Sequence, residues 1–287
     1  MKISGFTVIR NAELMGYPVR ESISSLLPLV DEMVVGIGQS DDSTVEIIQS
    51  LGSPKIRIFS SHWDLGRTTG GHILSEKTNE ALEQCSNNWC FYLQADEVVH
   101  EDDLPVIHQK MLQTENDSHI DGLLFDYIHF YGSYQTIATS RKWYRREIRA
   151  IKKNSRARSY KDAQGFRIEG NKLRVVKADS RIFHYGWVKP PQLMGQKAKQ
   201  LDYWWHGKTA LTNDKPFFYD NQYGLTRYEG KHPKVMLDLV AAQNWDFIPK
   251  RSMKDWRIKD LRYLTSDIFE YLFNYRIGEY RPYHLIK

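Results

Sequence analysis

Hydrophobic positions along the first hundred residues come in two alternating periods. Residues 3–9, 33–37, 56–59 and 89–93 are short, nearly unbroken apolar runs, the pattern of strands buried on both faces of a sheet. Between them the apolar positions recur at helical spacing. Val19, Ile23, Leu26 and Leu27 share one face of a helix that starts near Pro18. Val45, Ile47, Ile48 and Leu51 line a second, opened by Ser43 or Thr44 and stopped by Gly52. Ile73, Leu74, Thr78, Ala81, Leu82 and Cys85 line a third over about 71–85. Strand–helix alternation at this spacing predicts an α/β fold, a mostly parallel sheet with right-handed crossovers.

The texture changes after Asp121. Residues 123–131 read as a strand and 181–184 as the end of a short one. Residues 141–161 carry ten Lys or Arg against the single acid Glu147. Three readings fit that run: a cation facing a diphosphate, from Arg149 or Lys152; attraction to an anionic lipid or acceptor; or the solvated face of a strand pair, which we favour. Past Pro190 and Pro191 the chain turns helical and aromatic. We therefore expect two units, residues 1–190 and a mainly helical, aromatic-rich extension over 191–287. In the extension Ile268, Phe269, Leu272 and Phe273 recur at helical spacing, which predicts packing against the core. The Trp204–Trp205 pair is read as aromatic core.

Composition narrows the class. The chain has 287 residues, 41% of them hydrophobic, with eight Trp and 17 Tyr, which speaks against extensive disorder. No apolar run is long enough to span a bilayer, and the N-terminus enters a strand without a signal-peptide core. Cys85 and Cys90 are the only cysteines, so a reducing, cytoplasmic setting is expected. A net charge of +5 accommodates anionic substrates or peripheral contact with the inner face of a membrane. No nucleic-acid partner is expected, because aromatics are sparse in the basic run. Homodimerisation through the extension is compatible with the pattern. Neither a Gly-x-Gly-x-x-Gly turn nor a P-loop follows the first strand, which speaks against a dehydrogenase or an ATPase.

The chemistry concentrates where the fourth apolar run meets Gln94-Ala95-Asp96-Glu97. Open α/β sheets place their ligand crevice at the carboxyl ends of strands. Carboxylates there suit a hard cation, Mg²⁺ or Mn²⁺, that grips a diphosphate.

Four pieces in order resemble the family 2 glycosyltransferases, which have a GT-A fold. They are Arg10-Asn11-Ala12-Glu13 after the first strand, Ser40-Asp41-Asp42-Ser43-Thr44 after the second, Lys77-Thr78-Asn79-Glu80-Ala81-Leu82 before the fourth, and Leu93-Gln94-Ala95-Asp96-Glu97. The likeness covers about residues 3–190. It implies metal-dependent, inverting transfer of a sugar from a nucleotide-diphosphate-sugar donor to an acceptor hydroxyl, on a glycan or lipid-linked molecule. The family's acidic motif is Asp-x-Asp, so Gln94 stands at its first acid. That leaves Asp96 as metal ligand, with Glu97 behind it or capping a helix. His184 resembles the late histidine that completes such a metal site. Asp162 falls where the family places its catalytic base, with Glu169 as runner-up. Arg10, Asn11, Glu13, Asp41, Asp42, Arg67, Lys77, Asn79 and Ala95, with Asp96, are the expected nucleotide-sugar contacts. The family's base-contacting Asp at the second strand end is replaced by Gly36-Ile37-Gly38. Gln94 also motivates a second reading, a non-catalytic sugar-nucleotide or glycan-binding module on the same fold. A nucleotidyltransferase trails, because no Gly-rich N-terminal loop is present.

Overall fold

The structure is a computed structural model describing residues 1–64, 66, 70–206, 216–249, 258–273, 275–276 and 278–286. Its first half follows the sequence pattern: β1 (Ile3–Ile9), α1 (Val19–Leu26), β2 (Glu32–Ile37), α2 (Thr44–Gln49), β3 (Ile56–Ser60), α3 (His72–Gln84) and β4 (Trp89–Tyr92). A short β5 (Glu97–Val99), α4 (Leu104–Thr114), β6 (Gly122–Tyr131), β7 (Ser133–Ala138), β8 (Arg146–Lys152), β9 (Arg158–Tyr160) and β10 (Gly165–Ile168) follow. Next comes the long β11 (Asn171–Trp187), then α5 (Pro191–His206), β12 (Leu225–Arg227), α6 (Leu237–Ala241), α7 (Ile258–Phe273) and β13 (Tyr283–Leu285).

The main path of the sheet runs β3-β2-β1-β4-β8-β6-β11-β10-β9. Strands β3, β2, β1 and β4 are mutually parallel. The chain moves outward from β1 to β3, then returns to place β4 on the other side of β1. That reversal is a topological switch point, and it opens a crevice at the carboxyl ends of β1 and β4. Both faces of the parallel part are covered, which explains the unbroken apolar runs. Trp89 and Phe91 of β4 join Ile23, Leu26, Ile107 and Met111 in one core. Cys90 and Tyr92, pointing the other way, join Ala81, Leu82, Ile148 and Phe166 in a second. This mixed α/β architecture is consistent with a GT-A fold.

Four features differ from the sequence reading. The basic run is a solvated face only in part: its centre, β8, lies between β4 and β6 and Glu147 through Lys152 are buried, while Lys142, Arg156, Arg158 and Lys161 are exposed. The predicted short strand at 181–184 is the end of a 17-residue one, β11, which is irregular after Lys177 and after His184. In α7, Ile268, Leu272 and Phe273 are exposed on the described surface. Ion pairs from Arg145 and Arg276 to Glu270 hold that helix instead. The segment beyond 190 also adds strands to the sheet, β12 beside β7 and β13 beside β11. Both cysteines are free and buried. Among the described residues no helix is long and apolar enough to cross a membrane.

Candidate active site

Asp96 and His184 arrive from elements 88 residues apart in sequence and meet because β5 pairs antiparallel with β11. His184 stands opposite Glu97 in register, and the Tyr185 amide donates to the Asp96 carbonyl at 2.8 Å. The pairing of β11 with β6 shifts register between His184 and Trp187. Asp96 Oδ1 then lies 3.9 Å from His184 Nε2.

Helix α5 brings a cation to the same carboxylate. Lys197 Nζ donates to Asp96 Oδ2 at 2.8 Å and to the Gly186 carbonyl at 2.8 Å. Burial pushes the Asp96 carboxyl up, but the ammonium groups of Lys197 and Lys189 outweigh it and hold it well below the usual carboxylate range. Burial lowers His184 to about 4, so its imidazole is neutral at pH 7. Its Nδ1 sits 2.9 Å from Nδ1 of His129, whose Nε2 lies 2.6 Å from the Tyr144 carbonyl. If His129 donates Nε2–H to that carbonyl, its Nδ1 accepts from His184. His184 Nε2 then keeps a free lone pair toward Asp96.

These residues surround a cavity of about 230 Å³ at the switch point. Arg10 and Ile9 at the end of β1, Tyr92 of β4, the Gln94–Asp96 turn, Trp63, His184 and Lys197 all line it. Trp63 lies against Gly38, where a Cβ would come within 2.8 Å of the indole. Arg10 extends one guanidinium nitrogen to Asp41 at 3.5 Å, while its buried Nε has no partner among the described residues.

The space between the Asp96 and His184 side chains suits a divalent cation. A Cβ on residue 186 would fall 2.6 Å from His184 Nε2 and 2.7 Å from Asp96 Oδ2. Glycine therefore keeps open the space between imidazole and carboxylate. One nitrogen and one carboxylate oxygen, with other positions left for phosphate oxygens, fit Mn²⁺ or Mg²⁺.

The glycosyl transferase family 2 model matches residues 9–183, the segment that builds this cavity up to the histidine's strand. The chain belongs to glycosyltransferase family 2. Among solved structures it is similar to Staphylococcus aureus TarS in complex with UDP-GlcNAc, at 22% identity over 46% of this chain and 36% of that one, with a TM-score of 0.35. TarS residues 1–349 with UDP aligns at 15% identity over 71% and 65%, with a TM-score of 0.42. Mycobacterium tuberculosis glucosyl-3-phosphoglycerate synthase with Mn²⁺, UDP and phosphoglyceric acid aligns at 22% over 45% and 43%, with a TM-score of 0.31. The chain spans less than two thirds of each of these chains. No curated protein matches.

Within this glycosyltransferase domain the predicted residues separate into groups. Arg10, Ala95, Asp96 and His184 line the cavity. Asn11, Glu13, Asp41 and Asp42 brace the two strand-end loops against each other. Asn11 Oδ1 accepts from the Asp41 amide at 2.8 Å, Asp42 from the Leu14 amide at 2.9 Å, and Glu13 from the Ser43 amide at 3.1 Å. Asn11 takes a positive φ of 53° to do so. Lys77 pairs with Glu80 at 3.0 Å. Asn79 clamps Ser159 through two backbone hydrogen bonds of 2.7 and 3.1 Å. Asp162 lines a neighbouring cavity, while Ala163 beside it lines the first. Arg67 and the side chains of Trp204 and Trp205 lie outside the described residues.

Glu97 stands behind Asp96. It is fully buried and takes two 2.8 Å bonds from Arg149, one from the Tyr127 hydroxyl and one from the Gln94 amide. Arg149 is thus committed to Glu97, and Lys152 to the carbonyls of Thr114 and Asp117, so neither faces a diphosphate. The sequence reading missed Lys197, Gly186, Trp63 and the Glu97–Arg149 pair. Lys197 lies past the expected boundary at 190, on helix α5.

Proposed function

We propose that this domain transfers a sugar, with inversion, from a nucleotide-diphosphate-sugar donor to an acceptor hydroxyl. The observation that carries the reading is the switch-point cavity, where Asp96 and His184 frame a glycine-kept space and Lys197 adds an ammonium. A nucleoside against Trp63 and Arg10 would point its diphosphate toward Asp96. Asp96 and His184 would hold a divalent ion, which would supply Lewis-acid neutralisation of that diphosphate. Lys197 adds a fixed positive charge where negative charge develops, and buried preorganised charge is most effective there. Asp162 is the proposed base. The acceptor oxygen bonds to the sugar's anomeric carbon as the bond from that carbon to the diphosphate oxygen breaks. The proton passes to Asp162 and the electron pair leaves with the diphosphate. Asp162 lines the second cavity while its neighbour Ala163 lines the donor cavity, and that adjacency supports the role.

The test is turnover with a panel of UDP-, GDP-, CDP- and dTDP-sugars. Asp96→Asn removes turnover and leaves a folded protein; full activity in that variant ends the assignment. Asp162→Ala lowers kcat more than donor binding, and unchanged kcat moves the base elsewhere. Gln94, in place of an acid, favours the alternative of a sugar-nucleotide-binding module. Nucleotide binding without donor cleavage under any metal would support that alternative.

A further inference from the structure

We infer that the second cavity, walled from the first by the 162–164 turn, binds a pyranose ring of the acceptor. This deepens the transferase reading and rests on it. The cavity holds about 210 Å³. Its floor is Glu147, which is buried yet leaves Oε2 without a hydrogen-bond partner among the described residues. Oε1 accepts from Gln164 at 2.8 Å. A buried oxygen of this kind is costly unless something donates to it, and a ligand hydroxyl would. A Cβ on residue 165 would come within 3.2 Å of that oxygen, so Gly165 keeps the approach clear.

The chemistry of the wall selects the ligand. Charge on the wall is mixed, with Asp162 beside Lys161 and Arg167, so neither sign dominates. The Arg167 guanidinium donates to the carbonyls of Phe166 and Pro282, at 2.9 and 2.8 Å, and to the Tyr280 hydroxyl at 2.8 Å. Tyr280, exposed, offers a ring face with a polar tip, while the Tyr160 ring carries Lys161 and Arg167 at 5.4 and 5.3 Å from its centroid. A carboxyl group on the floor, able to donate or accept, and an aromatic ring at the mouth suit a sugar ring. Tyr280 and Pro282 come from the far C-terminal segment, so that segment completes the pocket.

The turn links the two cavities. Lys161 and Ala163 take positive φ of 55° and 62°, a strained backbone for non-glycine residues. Arg149, bound to Glu97 beside Asp96, also donates to the Gln164 carbonyl at 2.9 Å. The acidic motif and the acceptor wall therefore share one buried guanidinium.

The test is saturation-transfer NMR on the full chain with the methyl pyranosides of glucose, galactose, mannose and N-acetylglucosamine. At least one saturates on the wild type, and its signal falls fivefold or more in both Tyr280→Ala and Glu147→Gln. Tyr280 is exposed, so its variant folds. Thermal unfolding with UDP, GDP, CDP, dTDP and CMP, run on the same samples, reports the first cavity. Pyranoside binding lost in the variants, with nucleotide shifts retained, supports the inference. No pyranoside signal, a signal unchanged in either variant, or binding of inorganic phosphate alone overturns it. Pyranoside binding that behaves as expected while no nucleotide shifts the wild type leaves this pocket standing and removes the transferase reading.

Discussion

Asp96 and Glu97 are neighbours in sequence with opposite surroundings. Glu97 faces a closed region. Its oxygens are filled by Arg149, Tyr127 and a backbone amide, it has no exposed surface, and no bonding capacity remains. Asp96 faces an open region, where one oxygen is held by Lys197 and the other lies toward His184 across the space Gly186 leaves. Both carboxylates are neutralised by a cation. The difference is whether the pair keeps spare bonds directed at a cavity, and that separates structural charge from chemical charge better than burial does.

The comparison breaks most sharply by mutation. Asp96→Asn should lower turnover by about 10²–10³-fold or more, read by steady-state kinetics beside thermal unfolding. Its cost in stability should be smaller than that of losing Arg149, because the amide oxygen still accepts from Lys197 in place of Oδ2. Arg149→Met should do the reverse. Removing one partner of a buried pair costs about 3–5 kcal/mol, so its midpoint should fall by roughly 10 °C. Equal loss of stability in the two variants would erase the distinction.

Smaller effects sharpen the open side. Lys197→Met removes a charge-assisted bond worth about 1.5–3 kcal/mol, so nucleoside diphosphate affinity should fall about 10- to 100-fold by calorimetry. Gly186→Ala should cut the Mn²⁺ enhancement of nucleotide binding by about tenfold while leaving metal-free binding nearly unchanged. A further effect concerns pH. Burial, against the pull of Arg149, raises the Glu147 carboxyl to about 8 from 4.5. The folded chain holds that proton where the unfolded chain releases it. This contribution to stability is therefore complete below about pH 4.5 and is lost as pH rises to about 8. Glu147→Gln should flatten the fall in unfolding midpoint over that window; an unchanged slope would place the proton elsewhere.

The parallel half was legible because strands buried on both faces leave continuous apolar runs, and the turn after Leu93 was visible as acids ending such a run. Strand β11 was not. Its outer half alternates Lys172, Arg174, Lys177 and Arg181 with buried residues, which reads as polar chain until its partners are known. Arg149 was legible as a charge and not as a partner of Glu97, since 52 residues separate them. Asn11, Glu13, Asp41 and Asp42 were recognised as strand-end polar residues, but sequence alone does not tell a loop brace from a ligand contact. Lys197 was missed because a helix delivers it from beyond the expected domain boundary.

The central claim is that the Asp96 cavity takes a nucleoside diphosphate. Its most direct test is thermal unfolding of wild type and Asp96→Asn with UDP, GDP, CDP, dTDP and CMP, each with and without Mn²⁺. Ligand at a hundred times its Kd adds about 2.7 kcal/mol, a shift of several degrees at roughly 2–4 °C per kcal/mol. The account predicts such a shift for one nucleoside diphosphate, larger with Mn²⁺ and lost in Asp96→Asn. No shift with any nucleotide, or an equal shift in the variant, would contradict it.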